Sequence, residues 1–240
     1  MPFHAAYLLQ GLAVAVIVDV LLVWQMNTIL DWHTRALQKM LQFAGVLWTD
    51  GRTLEILPNI FANLIRTGYY PYDTDPMFPW YAFGIVSVVY LLSYRYMAQP
   101  LRPLFFLIPA GLGITLFYLK MVSPQLPYSA EDFAAIWYRG EAYLWLLMPW
   151  IFGLGLFTLN VPFALKLPWL IAVFLYSLVW SVVRLAVALA TFHYFGALFM
   201  PIFYFIFGFL ADFLYIVAFY SLAMDKAAGF LSKQREVWQS

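Results

Sequence analysis

The chain contains no cysteine among its 240 residues. Without a thiol it has no disulfide, no thiolate nucleophile and no cysteine ligand for zinc, haem or an iron–sulfur cluster. These chemistries are therefore excluded for the chain itself. Its three histidines lie at the N-terminus, on an amphipathic stretch and at a turn, whereas a haem bundle places facing pairs deep in its helices. We predict no bound cofactor and no metal.

Charged residues are also scarce. They make up 10% of the chain, whereas 65% of the residues are hydrophobic. Ordinary soluble domains contain roughly 25% charged residues, so this composition is typical of an integral membrane protein whose main partner is the lipid bilayer. The formal net charge is +1, and no basic run is long enough to follow a phosphate backbone. Nucleic acid is therefore not an expected partner.

Apolar runs long enough to cross a bilayer recur along the chain. A span needs roughly 20 apolar residues to cross about 30 Å of hydrocarbon. We predict an all-α, polytopic transmembrane helix bundle, a single domain over residues 1–240, with six spans at residues 5–30, 78–98, 104–122, 141–160, 167–192 and 197–224. The last two spans form a hairpin that folds at His193–Gly196.

The first predicted span differs from a cleaved secretory signal. It lacks a positively charged leading region and a small-residue cleavage site, and its apolar run is long enough to cross the membrane, so we expect it to be retained. Gly11, Ala13 and Ala15 give it a small-residue face that another helix can approach closely.

The segment between the first two spans, residues 31–77, is less hydrophobic. Two apolar stripes recur there at helical spacing, the first made by Leu37, Met40, Leu41 and Ala44 and the second by Leu57, Ile60, Phe61 and Leu64. This pattern predicts two amphipathic helices that lie in the membrane interface. Later in the chain, Ser129–Asp132 is a capping-box pattern that predicts a short helix before the fourth span. The polar tail, residues 225–240, predicts a short surface helix.

Six spans place both termini on one side of the membrane. Basic residues in the short loops and the tail lie on that side, and they are Arg95, Arg102, Lys166, Lys226, Lys233 and Arg235. The opposite side also carries six, mostly in the long segment 31–77, which counts for less. We therefore predict cytoplasmic termini, in a bacterial inner (plasma) membrane.

Three charged residues fall inside the predicted spans: Asp19, Arg184 and Asp212. Because a charge in hydrocarbon is costly, each calls for a partner. At 1.5 Å per residue, Arg184 lies about 26 Å and Asp19 about 21 Å from the terminus-bearing face, which is within the reach of an arginine side chain. We predict an ion pair between Asp19 and Arg184. No partner is predicted for Asp212, whose depth is loosely defined because its span is longer than the bilayer needs.

Three interpretations of this intramembrane charge network remain open. In the first, the pair fixes the register of the helices. In the second, Asp19 and Asp212 carry protons or bind a substrate, and Arg184 modulates them. In the third, the charged side chains snorkel to water and form no pair. Motifs of serine or aspartyl intramembrane proteolysis and phosphate-binding glycine loops are absent from the sequence.

Few titratable groups and abundant contact surface favour a non-enzymatic inner-membrane subunit or assembly scaffold of a larger membrane complex, with other membrane proteins as partners. The first alternative is a small proton-coupled transporter or proton-conducting subunit that uses Asp19, Arg184 and Asp212. The second alternative is a membrane-embedded enzyme acting on a lipid-linked substrate. Its interfacial candidate residues are Glu131, Arg139, Glu141 and His193.

Overall fold

The structure, a computed structural model, describes residues 5–68, 77–122 and 129–239. Most of these residues are helical. The α-helices are α1 (Ala5–Phe43), α2 (Phe78–Tyr94), α3 (Arg102–Met121), α4 (Ala130–Gly155), α5 (Phe163–Phe195), α6 (Met200–Ile202) and α7 (Ala211–Gln239). The strands are β1 (Trp48–Leu57) and β2 (Ile60–Thr67), short 3₁₀ turns cover Gln99–Leu101 and Ala197–Phe199, and a π-helix covers Phe203–Leu210.

Three helical stretches are long and apolar enough to cross a membrane: Ala5–Phe43, Phe163–Phe195 and Ala197–Ser232. Two further apolar helices, Phe78–Tyr94 and Phe105–Met121, are shorter. The prediction of a predominantly helical membrane protein is therefore confirmed. The predicted fold between the last two spans also lies where expected, because α5 ends at Phe195 and Gly196 follows with a positive φ of 75°.

The first of the two predicted amphipathic helices is not a separate element. It is the C-terminal part of α1, which continues past residue 30 to Phe43. No glycine or proline interrupts residues 31–43, so nothing stops the helix before Gly45, whose φ is 72°. Leu37 and Leu41 of the predicted stripe are buried, as their spacing indicated.

The second predicted amphipathic helix is wrong, and an antiparallel β-hairpin takes its place. Leu57 pairs with Ile60 across a two-residue turn formed by Pro58 and Asn59. Proline suits the first position of such a turn, and Asn59 adopts the left-handed conformation, with φ 62°, that asparagine tolerates better than most residues. Burial then alternates along the start of β2, the period-two pattern of a half-buried strand. The last part of the predicted interfacial segment, residues 69–76, lies outside the described residues.

The main core is formed by α1, α4, α5, α7 and the inner face of the β-hairpin. Helices α1 and α4 approach each other closely within it. A Cβ atom added to Gly11 would lie 2.4 Å from the carbonyl oxygen of Gly153, so the two backbones meet where neither has a side chain. Ala15 lines the same contact and is buried, whereas Ala13 is exposed. The predicted small-residue face thus exists, at Gly11 and Ala15.

Helices α2 and α3 form a smaller unit. They pack around a second apolar cluster, in which Leu112 and Leu116 of α3 meet Leu198 and Ile202 from the start of the last helical stretch. Pro79 is the one buried residue among the described side chains of α2. Ala82, Phe83 and Val86 pack against this cluster, and the opposite face of α2 presents an apolar surface outward.

Candidate functional site

Arg184 lies at the centre of a buried ionic cluster that joins α4, α5 and the last helical stretch. Its side chain is about 1% exposed. One terminal nitrogen lies 2.8 Å from Glu141 Oε1 and also contacts Asp212 Oδ1. The other terminal nitrogen donates to the backbone carbonyls of Phe207 and Gly208, the second at 3.0 Å. Arg184 therefore has four acceptors, two of them carboxylates.

The two carbonyl acceptors belong to the π-helix. In a π-helix the backbone hydrogen bonds join residues five positions apart, whereas in an α-helix they join residues four positions apart. Such segments are frequent at functional sites. Here the segment Phe203–Leu210 brings the carbonyls of Phe207 and Gly208 to the guanidinium, and α7 begins directly afterwards with Asp212 in its first turn.

The predicted ion pair between Asp19 and Arg184 is wrong. Asp19 Oδ2 instead accepts a hydrogen bond of 2.6 Å from the indole nitrogen of Trp150 on α4. Equal depth does not place two residues side by side, because the face of the helix also matters. Asp19 follows Gly11 and Ala15 at intervals of four residues, so it lies on the stripe that faces α4 rather than α5.

Glu141 belongs to the cluster although the sequence placed it at an interface. The prediction started the fourth span at Glu141, with a separate short helix before it. The structure joins the two, and α4 begins at Ala130 with the predicted Ser129–Asp132 capping box. Glu141 therefore lies about three turns inside the helix and is buried with 4% exposure. Asp212, for which no partner was predicted, has Arg184 as its partner.

A second polar group adjoins the cluster along α5. The hydroxyl of Ser181 lies 3.1 Å from His33 Nε2 and accepts a 3.3 Å hydrogen bond from the indole of Trp137. His33 Nδ1 lies 3.2 Å from the hydroxyl of Tyr138, which in turn lies 3.0 Å from the Thr34 hydroxyl. The histidine is fully buried. This network ties α1, α4 and α5 together at the level of His33.

One helical turn away, Ser177 makes a similar link. Its hydroxyl accepts hydrogen bonds from Trp145 Nε1 at 3.0 Å and from the Tyr215 hydroxyl at 2.8 Å. Ser177, Ser181 and Arg184 are spaced by four and three residues, so they form one polar stripe on an otherwise apolar helix. That stripe is the sequence signal by which the site could have been recognised.

A groove runs beside the ionic cluster between α4 and the last helical stretch. Its volume is about 600 Å³. Apolar side chains form most of its walls, including Leu144, Leu147, Phe213 and Val217, and Glu141 and Asp212 are also among its lining residues. The groove therefore combines mostly apolar walls with two acidic side chains.

The other predicted interfacial residues do not gather at this site. Glu131 accepts a hydrogen bond of 2.8 Å from the backbone of Arg52 and forms ion pairs with Arg52 and Arg66 of the β-hairpin. Arg139 is exposed on α4. His193 Nδ1 lies 3.1 Å from the carbonyl oxygen of Gly68.

Charge also stabilises the start of α4. Asp132 forms a capping box with Ser129, and hydrogen bonds from the Ser129 side chain and backbone lower the pKa of Asp132 below its ordinary value of 3.8. Arg52 lowers this pKa further, with an ion-pair distance of 2.9 Å. These contacts dock the β-hairpin onto the first turn of α4.

Across residues 5–68, 77–122 and 129–239, no three histidine, aspartate or glutamate side chains come together in a group that could hold a metal ion. The chemistry of the cluster is thus that of a guanidinium between two carboxylates, beside an apolar groove. No protein-family model matches the chain, and neither a curated protein nor a solved structure matches it.

Proposed function

We propose that the chain is a non-enzymatic subunit or assembly scaffold of a larger membrane protein complex. In this proposal it crosses a bacterial inner membrane six times and both termini are cytoplasmic. The six crossings are the apolar part of α1, then α2, α3, the apolar part of α4, α5 and the stretch that begins at Ala197.

The observation that carries the proposal is the outer face of α2. Around Gly84 this face holds a shallow apolar depression of about 490 Å³, lined by Trp80, Tyr81, Gly84, Ile85, Val88 and Val89. A Cβ atom on Gly84 would meet nothing within 4 Å. Because small residues allow transmembrane helices to approach closely, a transmembrane helix of another subunit fits this depression.

The contacts of the charged residues in the apolar helices support a structural role. Asp19 bonds to Trp150, and Arg184 bonds to Glu141 and Asp212. Lys166, which is 1% exposed, donates to the carbonyl oxygens of Phe157 at 3.0 Å and Leu159 at 2.6 Å. Each of these groups links two segments of the chain, which is how a rigid scaffold uses buried polarity.

The proposal is tested by purification of the natively expressed protein in a mild detergent, followed by measurement of the stoichiometry of any chains that copurify. We expect one or more membrane proteins in a fixed ratio. Gly84→Trp should release them because the indole fills the depression. Ile114→Trp is the matched control, since Ile114 is an exposed position on the neighbouring helix α3. A protein that is monomeric and stable after native purification, or equal effects of the two substitutions, would contradict the proposal.

A second candidate function, a proton-conducting or proton-coupled role, is favoured by one observation. Glu141 and Asp212 share a single arginine. One positive charge compensates one of the two carboxylates, so the other can bind and release a proton. Its test is proton flux into liposomes that contain the purified protein. Flux that Asp212→Asn abolishes while the fold is retained would favour this function over a scaffold.

A further inference from the structure

We propose that the groove between α4 and α7 is a binding site for an amphiphile whose head group carries a protonated amine. The amine would lie at Glu141 and Asp212, and the alkyl chain would follow the apolar walls. This inference goes beyond the proposed function, because it concerns a small ligand and needs no partner protein.

The unsatisfied half of the Glu141 carboxylate points to a donor from outside the chain. Oε1 accepts from Arg184, whereas Oε2 is buried and has no hydrogen-bond partner of ordinary geometry within the described residues. The Ser181 hydroxyl lies near the carboxylate, but it also contacts His33 and Trp137. Glu141 as a whole is 4% exposed and lines the groove. Buried polar atoms nearly always have a hydrogen-bond partner, because a buried acceptor without one loses its interactions with water and gains nothing in return.

The charges of the cluster specify which kind of donor fits. Two carboxylates, Glu141 and Asp212, face one guanidinium, that of Arg184, so the ionised cluster has one negative charge in excess. An ammonium group supplies both a compensating charge and three hydrogen-bond donors. A hydroxyl head group would supply a donor alone, and a carboxylate head group would be repelled.

The shape of the groove specifies the remainder of the ligand. Its volume of about 600 Å³ lies within the range of roughly 300–1,000 Å³ that small-molecule sites occupy. Leu147, Phe209 and Phe213 line it and are exposed on the outer surface of the protein. These exposed side chains are apolar, and in the proposed topology α4 and the last helical stretch both cross the membrane. The groove then opens sideways toward hydrocarbon. An alkyl chain can therefore enter from the bilayer.

Dodecylamine is a suitable probe, with dodecanol and dodecanoic acid as ligands of the same chain length. Binding to the full chain in a non-ionic detergent is measured by native mass spectrometry, which counts bound molecules, and by the shift of the unfolding temperature. We expect one dodecylamine per chain and saturable stabilisation. Dodecanol should bind at least about tenfold more weakly, since it lacks the charge-assisted interaction, and dodecanoic acid should not bind measurably.

Two substitutions separate the polar and apolar parts of the site. Glu141→Gln keeps the shape of the side chain but removes its charge, so it should weaken dodecylamine about tenfold and leave dodecanol nearly unchanged. Leu147→Trp fills the groove and should abolish binding of both. Leu154→Trp is its matched control, because Leu154 is an exposed leucine on the same helix that does not line the groove.

The proposal is overturned if dodecylamine binds no better than dodecanol, if several molecules bind without saturation, or if Leu147→Trp and Leu154→Trp bind alike. Should Glu141→Gln fail to fold, the two tryptophan variants still decide the outcome. Failure of amine binding with an intact subunit complex would overturn this inference alone. Loss of the subunit complex with intact amine binding would overturn only the proposed function.

Discussion

The guanidinium of Arg184 lies 2.8 Å from the carboxylate of Glu141, although the two residues are 43 positions apart in the chain. Asp212, 28 positions further on, contacts the same guanidinium nitrogen. One arginine thus connects α4, α5 and the start of α7. Most of the testable consequences of the fold begin from this arrangement or from the helix contact that supports it.

Replacement of Arg184 by methionine should destabilise the protein strongly. Two carboxylates would remain buried without their cation, and removal of one partner from a buried pair costs about 3–5 kcal/mol. The measurement is the free energy of unfolding in mixed detergent and SDS micelles. Arg139→Met is the control, because Arg139 is exposed on α4 and should change stability little. The triple variant Arg184→Met, Glu141→Met and Asp212→Leu should recover much of the loss. Equal small losses for the two arginine variants would contradict a structural role of the cluster.

Asp19 and Arg184 should be energetically independent. Asp19→Leu leaves the indole of Trp150 without its acceptor and should cost about 1–3 kcal/mol, whereas Asp19→Asn keeps an acceptor and should cost less. In a double-mutant cycle of Asp19→Asn with Arg184→Gln, the two losses should add within about 0.5 kcal/mol because the two side chains bond to different residues. A coupling energy well above that value would contradict this independence and support the ion pair that was predicted from depth alone.

Gly11→Val should separate α1 from α4. The added side chain would overlap the Gly153 carbonyl, and forced overpacking typically costs about 1–3 kcal/mol. Ala13→Val is the matched control, since Ala13 lies on the exposed side of the same helix turn. The unfolding temperature of both variants in detergent gives the comparison. Equal temperatures would show that the close approach is not needed for stability.

The contribution of Asp132 to stability should depend on pH. Its pKa is lowered in the folded protein, chiefly by hydrogen bonds from Ser129, so its stabilising effect is fully present above its ordinary pKa of 3.8 and is lost as the pH falls through the lower folded value. Wild type should therefore exceed Asp132→Asn in unfolding temperature at pH 6, and the difference should shrink below about pH 4. Ser129→Ala should cost about 1 kcal/mol at neutral pH. A difference between wild type and Asp132→Asn that does not change with pH would contradict this account.

The sequence predicts the helical membrane class and the end of α5 well, because apolar length and Gly196 are local signals. It predicts the burial of Arg184 as well. A charge near the middle of a helix long enough to cross the membrane lies far from both surfaces and has to be buried among other helices. The identity of its partners could not be obtained from depth, which gives one coordinate where three are needed. The four-residue spacing of Gly11, Ala15 and Asp19 does indicate which face of the helix Asp19 occupies, and this face lies against α4.

Two errors have different causes, a misplaced helix boundary in the first and a strand pair interpreted as a helix in the second. The prediction divided residues 129–160 into a short helix and a span, and it therefore placed Glu141 at the membrane interface. In the structure, α4 is uninterrupted and Glu141 lies in the interior. In the segment after Thr53, the apolar residues also fit a helical stripe, and Pro58–Asn59 was the competing turn signal. Pairing between β1 and β2 over Leu54 and Ala62 then determines which residues face the core. That choice depends on long-range contact with α1 and α4.

The π-helix determines the rotational phase of everything that follows it. An α-helix turns by about 100° per residue, so one residue more or less within Phe203–Leu210 would rotate α7 by that angle relative to α5. Asp212 would then leave Arg184, and Tyr215 would leave Ser177. The chain accordingly has less tolerance for a length change in these eight residues than for most substitutions in its apolar helices, and a single-residue deletion here would separate the ionic cluster without removing Arg184, Glu141 or Asp212.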